Sequence, residues 1–432
     1  MPLPDPVIVV PGITAGTLHD HYVMPPDDLW TVIGHKFERL ALHPDNLRFE
    51  ASGPAVVRPG QLFEIAYNEL ISELRHNLSP NADQPVPVYP FSFDWRQPLE
   101  RVETELGAFI EDVIARTSVT RHYAIDGYAA RRKVNLVGHS MGGLVIAGYV
   151  ASAAAAGRVN KVATLGTPYR GSLEAIIKIT TGTSNLGATP PNSREREASR
   201  LTPALYYLLP DLMDGITIDP ALPQTLYDPA CWQPSIVQSI AEYIRRHGIN
   251  SVDINGQATR LFTKLLNDAR SHRQRLNTLD LARIGLSASD WLCVVGVNST
   301  TRVRLQVIRQ PDGSADFRFH DADRGNGWED NNPALREFTG DGTVPFSGAV
   351  PPFLRPENLV CVTTDDFGYW EVEDKVTASV AGFHGIMSNM DMLHRLIVRH
   401  FTGAPDTHEN TWGRAAPGVA NWVPPLPLTQ KP

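Results

Sequence analysis

The chain has 432 residues, of which 42% are hydrophobic and 20% charged, a composition that supports a sizeable core and excludes global disorder. Its formal net charge is −8, with 39 Lys and Arg against 47 Asp and Glu, and no basic cluster reverses that balance, so no nucleic-acid partner is expected. The three cysteines, Cys231, Cys293 and Cys361, form no disulfide framework and fit a reducing compartment.

The opening Met1-Pro2-Leu3-Pro4-Asp5-Pro6 has no basic segment followed by an apolar one, and no apolar run is long enough to span a bilayer. A cytoplasmic location is the resulting expectation, with export that needs no cleaved signal left open. Val7 to Val10 reads as a strand ending at Pro11-Gly12. Leu62 to Leu78 carries Leu62, Ile65, Ala66, Leu70, Leu74 and Leu78 at helical spacing. Val86 to Phe93 reads as a strand interrupted by prolines, ending at Asp94-Trp95-Arg96. Val102, Leu106, Phe109, Ile110, Val113 and Ile114 mark a second amphipathic helix. Val134 to Val137 is a buried strand, Leu144 to Ala156 a buried helix, and Lys161 to Leu165 a strand ending at Gly166-Thr167-Pro168.

This alternation of apolar strands and helices predicts a mostly parallel sheet with helices on both faces. It stops between about 172 and 290, where the chain is helical, rich in loops and punctuated by prolines from Pro203 to Pro234. That stretch reads as an insertion forming a helical cap or lid. Residues 1–171 and 291–402 would then be the two parts of the core, and 403–432 a proline-rich, irregular tail. Within the second part, Trp291 to Val297 and Leu359 to Thr363 are strands. Val303 to Ile308 and Phe317 to Phe319 form a hairpin around Pro311-Asp312-Gly313, and Met390 to Phe401 is a closing helix.

The chemistry is concentrated in Gly138-His139-Ser140-Met141-Gly142, which follows a strand and precedes a helix. That is the setting of a nucleophile elbow, in which a strained turn exposes the serine and the glycines leave room for strand and helix to approach. A serine nucleophile needs a base, and the base needs an orienting carboxylate. In the α/β-hydrolase fold they follow in the order Ser, acid, His. Asp341 in Gly340-Asp341-Gly342-Thr343-Val344-Pro345 and His384 in Gly382-Phe383-His384-Gly385 fit that order, both flanked by glycines in loops after strands. Asp365 and Asp366 are rival acids, and His394 and His400 are surface or packing residues of the last helix. The backbone N–H of Met141, and that of Ile13 in Pro11-Gly12-Ile13-Thr14-Ala15-Gly16, are candidate donors to an oxyanion. His19-Asp20-His21 lacks a further ligand at a telling spacing, so no metal and no cofactor are expected.

The sequence resembles the lecithin:cholesterol acyltransferase family, which includes lysosomal-type phospholipases and related bacterial lipases. The matching residues are Val9-Val10-Pro11-Gly12 with Gly16 and Leu18, Leu29-Trp30, Phe93-Asp94-Trp95-Arg96, and Gly138 to Gly143. Thr164-Leu165-Gly166-Thr167-Pro168 with Gly171, Leu208-Leu209-Pro210, Gly340 to Pro345, and His384 continue the series. The resemblance implies an α/β-hydrolase fold with Ser140, Asp341 and His384 as triad and Ile13 and Met141 as oxyanion donors. It further implies attack on an acyl ester, often of a lipid, and places Trp30 in a lid or acyl-site region. Leu205 and Leu208, in an apolar run of the insertion, would line an acyl channel or pack the core.

The expected function is therefore a serine esterase or lipase acting through an acyl-enzyme, with transfer to an alcohol as a variant of the second step. Its expected partners are an ester or lipid substrate and, transiently, a membrane or lipid surface. The alternatives are an esterase or lactonase for a small non-lipid ester, such as a natural-product macrocycle, and a non-catalytic acyl-binding scaffold.

Overall fold

In the computed structural model, residues 2–182, 193–211, 215–320, 324–325 and 332–431 are described. Parts of the predicted insertion, 183–192 and 212–214, lie outside them. Six strands build the central sheet: β1 (Val7–Val10), β2 (Val88–Pro90), β3 (Val134–His139), β4 (Val159–Leu165), β5 (Trp291–Gly296) and β6 (Val360–Val362). All neighbours run parallel, in the order β6-β5-β4-β3-β1-β2. The fold is the expected α/β-hydrolase architecture.

Both faces of the sheet are covered, which is why its strands read as unbroken apolar runs. Along β1, Ile8 and Val10 face one hydrophobic cluster while Val7 and Val9 face another. On the second face lie α1 (Glu64–Leu78) and, near the end of the chain, the helix Asp391–Thr402 packed on it. On the first face lie α2 (Leu99–Val119) and α3 (Met141–Val150), which pack on each other. Every residue of α3 is buried, and the elbow glycines make that possible. A Cβ on Gly142 would sit 2.1 Å from the Val10 carbonyl oxygen, and one on Gly138 would sit 2.8 Å from the Gly143 backbone.

Residues 16–62 hold a feature that the sequence pattern did not suggest: Gly16–Asp20 pairs antiparallel with Asp27–Trp30 and with Val57–Leu62. Polar and charged residues interrupt all three strands, so the alternation that usually marks a strand is weak there. The hairpin forms between Leu305–Arg309 and Ala315–Arg318, and its first strand pairs parallel with Ile216–Ile218 from the 172–290 stretch.

That stretch is mostly helical where it is described. It contains α4 (Leu173–Thr181), α5 (Pro234–His247) and α6 (Ile254–Asn277), and α5 packs along α6. A buried polar clip ties it to the core: Glu103 on α2 accepts from Arg275 at 2.6 Å and lies 2.8 Å from the His272 ring. Beyond Gly403 the chain is anchored. Asp366 is 1% exposed and accepts hydrogen bonds from the Thr363 amide, the Trp412 indole and Arg414. The Cys361 and Arg414 backbones also exchange hydrogen bonds. The three cysteines are free and buried, and no helix among the described residues is long and apolar enough to cross a membrane.

Candidate active site

β3 delivers Ser140 to the carboxyl edge of the sheet. Its backbone stands at φ 53° and ψ −127°, a strained conformation for a residue with a side chain, held because strand and helix are both fully packed on either side. The Ser140 amide donates to the Leu165 carbonyl at 2.9 Å, which clamps the turn to β4.

The structure brings the three expected polar residues together. His384 Nε2 lies 2.8 Å from Ser140 Oγ, and His384 Nδ1 lies 2.7 Å from Asp341 Oδ2. All three are buried, with Asp341 the most enclosed at 1% exposure. The Gly-Asp-Gly-Thr-Val run does specific work in holding the acid. Asp341 Oδ1 accepts the amides of Thr343 at 3.0 Å and Val344 at 2.7 Å, which leaves Oδ2 aimed at the imidazole. The His384 amide in turn donates to the Asp341 carbonyl at 3.0 Å. A carboxylate facing Nδ1 requires a proton there, so Nε2 is the bare nitrogen that can take the serine proton.

Gly166, from the Leu-Gly-Thr-Pro run, sits beside this pair at φ +55°. A Cβ there would come within 2.9 Å of Asp341 Oδ2 and 3.1 Å of His384 Nδ1. The steric role of this run emerges only in three dimensions.

Neither rival acid joins the site. Asp366 holds the tail, and Asp365 is a surface residue paired with Lys375. His394 and His400 are packing residues, their Nε2 atoms facing the carbonyls of Ser388 at 2.7 Å and Val162 at 3.1 Å.

Met141 opens α3 immediately after the serine. Across from it, the loop after β1 lies so close that a Cβ on Gly12 would be 3.0 Å from Ser140 Cβ. Ile13 follows Gly12 and lines a small, mostly apolar pocket of about 30 Å³, together with Thr14, Trp30, Trp95 and Leu205. Trp30 is fixed there by its indole N–H, which donates to the Thr14 carbonyl at 2.8 Å, and by edge contact with Trp95 at 5.0 Å. Leu208 is not among the pocket's lining residues; it is buried with its carbonyl accepting the Ser172 amide at 2.9 Å. Within hydrogen-bonding reach of one another on the pocket wall are Lys178 and Glu195, a buried ion pair that the sequence did not single out.

Two further buried polar groups reach the site, Tyr67 on α1 and His139 at the end of β3. His139 adjoins the serine in sequence, a usable signal. Tyr67 offers none, because it sits on a helix whose period explains it as core. Among the described residues no group of three or more His, Cys, Asp or Glu is gathered as a metal would require. His19 is engaged with Thr17 and Asp28, and Asp20 with Arg39.

The arrangement can activate a hydroxyl and hold a developing imidazolium against a carboxylate. A solved chain described as "The crystal structure of Tle4-Tli4 complex" is similar to this one at 15% identity with a TM-score of 0.56, over 82% of this chain and 90% of that chain. A chain from "Crystal structure of Bacillus licheniformis lipase BlEst2 in mature form" aligns at 12% identity over 68% of this chain and 67% of that chain, with a TM-score of 0.26. The first likeness is one of fold. No curated protein matches the chain. The family model described as "Lecithin:cholesterol acyltransferase" matches residues 67–247, which include Ser140 but neither Asp341 nor His384. Over those residues this chain is similar to the lecithin:cholesterol acyltransferase family, and its fold is that of the α/β-hydrolases.

Proposed function

We propose that this protein is a serine hydrolase of carboxylic esters, that its substrate is a lipid ester, and that Ser140, His384 and Asp341 carry the reaction. The observation that carries the reading is the unbroken series Ser140 Oγ, His384 Nε2, His384 Nδ1, Asp341 Oδ2, with separations of 2.8 Å and 2.7 Å. Ser140 Oγ attacks the ester carbonyl while its proton passes to His384 Nε2. The oxyanion so formed is met by the backbone N–H groups of Ile13 and Met141. Collapse breaks the bond to the alcohol oxygen, which leaves with the proton from His384. Water, or an acceptor alcohol, then gives its proton to His384 and attacks the acyl-serine. The proton returns to Ser140 as the acid or new ester departs.

The lipid assignment draws support from the family similarity and from the pocket, whose apolar wall of Ile13, Trp30, Trp95 and Leu205 adjoins the oxyanion loop. In this reading the 172–290 stretch is the cap, and Lys178, Glu195, Ala198, Ser199, Thr202 and Leu205 are its contribution to the pocket. Transient contact with a lipid surface belongs to the same proposal. Val32 and Ile33 follow Trp30 at 54% and 94% exposure, and Tyr369 and Trp370, ahead of the helix leading to His384, are 83% and 90% exposed. Large apolar side chains displayed in groups mark a binding surface more often than chance exposure does.

The deciding experiment is a series of initial rates on p-nitrophenyl esters from acetyl to palmitoyl, with Ser140→Ala as control. Rates that rise with chain length and vanish in the variant are expected. Activity confined to acetyl and propionyl esters would move the substrate to small esters, and turnover surviving in Ser140→Ala would remove the serine from the reaction.

A further inference from the structure

Tyr67 and His139 take no part in the proton transfers just described, yet both are buried beside them. Tyr67 is 1% exposed and His139 4%. They form one polar chain across four separate segments. The Gly12 amide donates to Tyr67 Oη at 3.0 Å. Tyr67 Oη lies 2.8 Å from His139 Nδ1, and His139 Nε2 lies 2.8 Å from the backbone carbonyl oxygen of His384.

The hydrogens of this chain have a single consistent arrangement. A carbonyl can only accept, so Nε2 of His139 carries the proton. Nδ1 is then bare and accepts from the Tyr67 hydroxyl, which leaves the tyrosine oxygen free to accept from Gly12. Protonating the ring would turn Nδ1 into a donor facing a hydroxyl already committed at its other side. Burial pushes His139 down to about 3, which keeps it neutral at ordinary pH.

Three of its four members are part of, or covalently next to, a group of the proposed reaction. Gly12 precedes Ile13, His139 precedes Ser140, and the last acceptor is His384 itself. We infer that Tyr67 and His139 are a positioning pair, which locks the oxyanion loop, the nucleophile turn and the backbone of the base into one register through the Gly12, Tyr67, His139 and His384 hydrogen bonds. The inference rests on the serine-hydrolase reading. Its physical content is differential: a loop held in place before substrate arrives stabilises the transition state, while contributing little to ground-state binding. A displacement of about 1 Å in such a loop is enough to slow turnover about a hundredfold.

The test uses the full chain with p-nitrophenyl butyrate, and active enzyme is counted by fluorophosphonate titration so that partial unfolding does not enter. Tyr67→Phe removes one oxygen and should lower kcat about ten- to a hundredfold with KM within about twofold. An alkyl trifluoromethyl ketone, which mimics the tetrahedral intermediate, should weaken by the same factor as kcat/KM. His139→Gln keeps a donor for the His384 carbonyl but has no acceptor atom at the Nδ1 position that faces Tyr67, so it should fall in the same range. The double variant should be no worse than the poorer single one, because both break one chain. Should Tyr67→Phe not fold, His139→Gln gives the same comparison. Wild-type kcat in either variant, a change in KM alone, ketone affinity unchanged while kcat falls, or additive losses would each overturn the pairing. If the wild type shows no turnover that depends on Ser140, the hydrolase reading and this one fall together. If it does and Tyr67→Phe matches it, only the positioning pair is lost.

Discussion

Asp341 and Asp366 are both buried aspartates after sheet strands, each accepting several hydrogen bonds, and their partners separate their roles. Asp341 faces His384 Nδ1, whereas Asp366 faces Arg414 and Trp412. In Asp341→Asn the amide cannot hold the proton on Nδ1 in the productive tautomer, and kcat should fall about ten-thousand-fold with folding retained. In Asp366→Asn a buried guanidinium loses its counter-charge. Stability should drop by about 3 kcal/mol while turnover per titrated site stays within about twofold. Denaturant melts and kcat measured side by side decide this, and the reverse pattern would assign the acid to Asp366. That Ser140, Asp341 and His384 would come together was legible in the sequence because each stands in a glycine-flanked run, in the order that the proposed chemistry needs. Tyr67 was not, since its contacts lie 55 and 72 residues away along the chain and no local pattern encodes them.

At the scale of elements, strands buried on both faces and helices with an apolar stripe could be read directly. The antiparallel strands between 16 and 62 could not, because their polar residues face solvent or pair with one another, as His19 does with Asp28. Two of the exposed apolar groups sit on elements tied together near the site. Ile33 shares a groove with Ile65, and Asn389 Nδ2 bridges the Ile65 carbonyl and Asp374 of the helix that follows Trp370. On the lipid-surface proposal, Ile33→Asp and Trp370→Asp should each weaken flotation with phosphatidylcholine vesicles severalfold, by placing a charge where an apolar side chain would enter the interface. Rates on soluble p-nitrophenyl butyrate should stay within about twofold of wild type. Unchanged flotation in both variants would remove this face as the docking surface.

For the molecule as a whole, buried histidines set the acid limit. Burial holds His139 down to about 3 and His400 down to about 4, and it lowers His394 as well. The titratable groups facing them are His384 and Asp341 for His139, Lys161 and Asp290 for His400, and Asp391, Glu73 and Arg395 for His394. A histidine whose folded value is depressed contributes stability above its unfolded value near 6.5, and that contribution is lost as pH falls below it. Between pH 6 and 4.5 each of His139 and His400 should cost about 1.4 kcal/mol per pH unit. Unfolding free energy measured by urea titration should therefore decline steeply over that window, and a flat profile from pH 7 to 4.5 would refute it.

An open sheet is a template at both ends, offering unpaired backbone to any passing strand. This sheet closes its ends by two different means. On the β6 side, the backbone of Arg414 exchanges hydrogen bonds with Cys361, so the chain's own last segment takes the place a foreign strand would occupy. On the β2 side, Pro87 precedes a strand of three residues that Pro90 ends, and the outward carbonyl of Val88 accepts from Arg75 at 2.8 Å. Prolines and a capping guanidinium leave little to pair with. The segment after Gly403 thus acts as a built-in guard on one end of the sheet, and prolines and Arg75 do the same on the other.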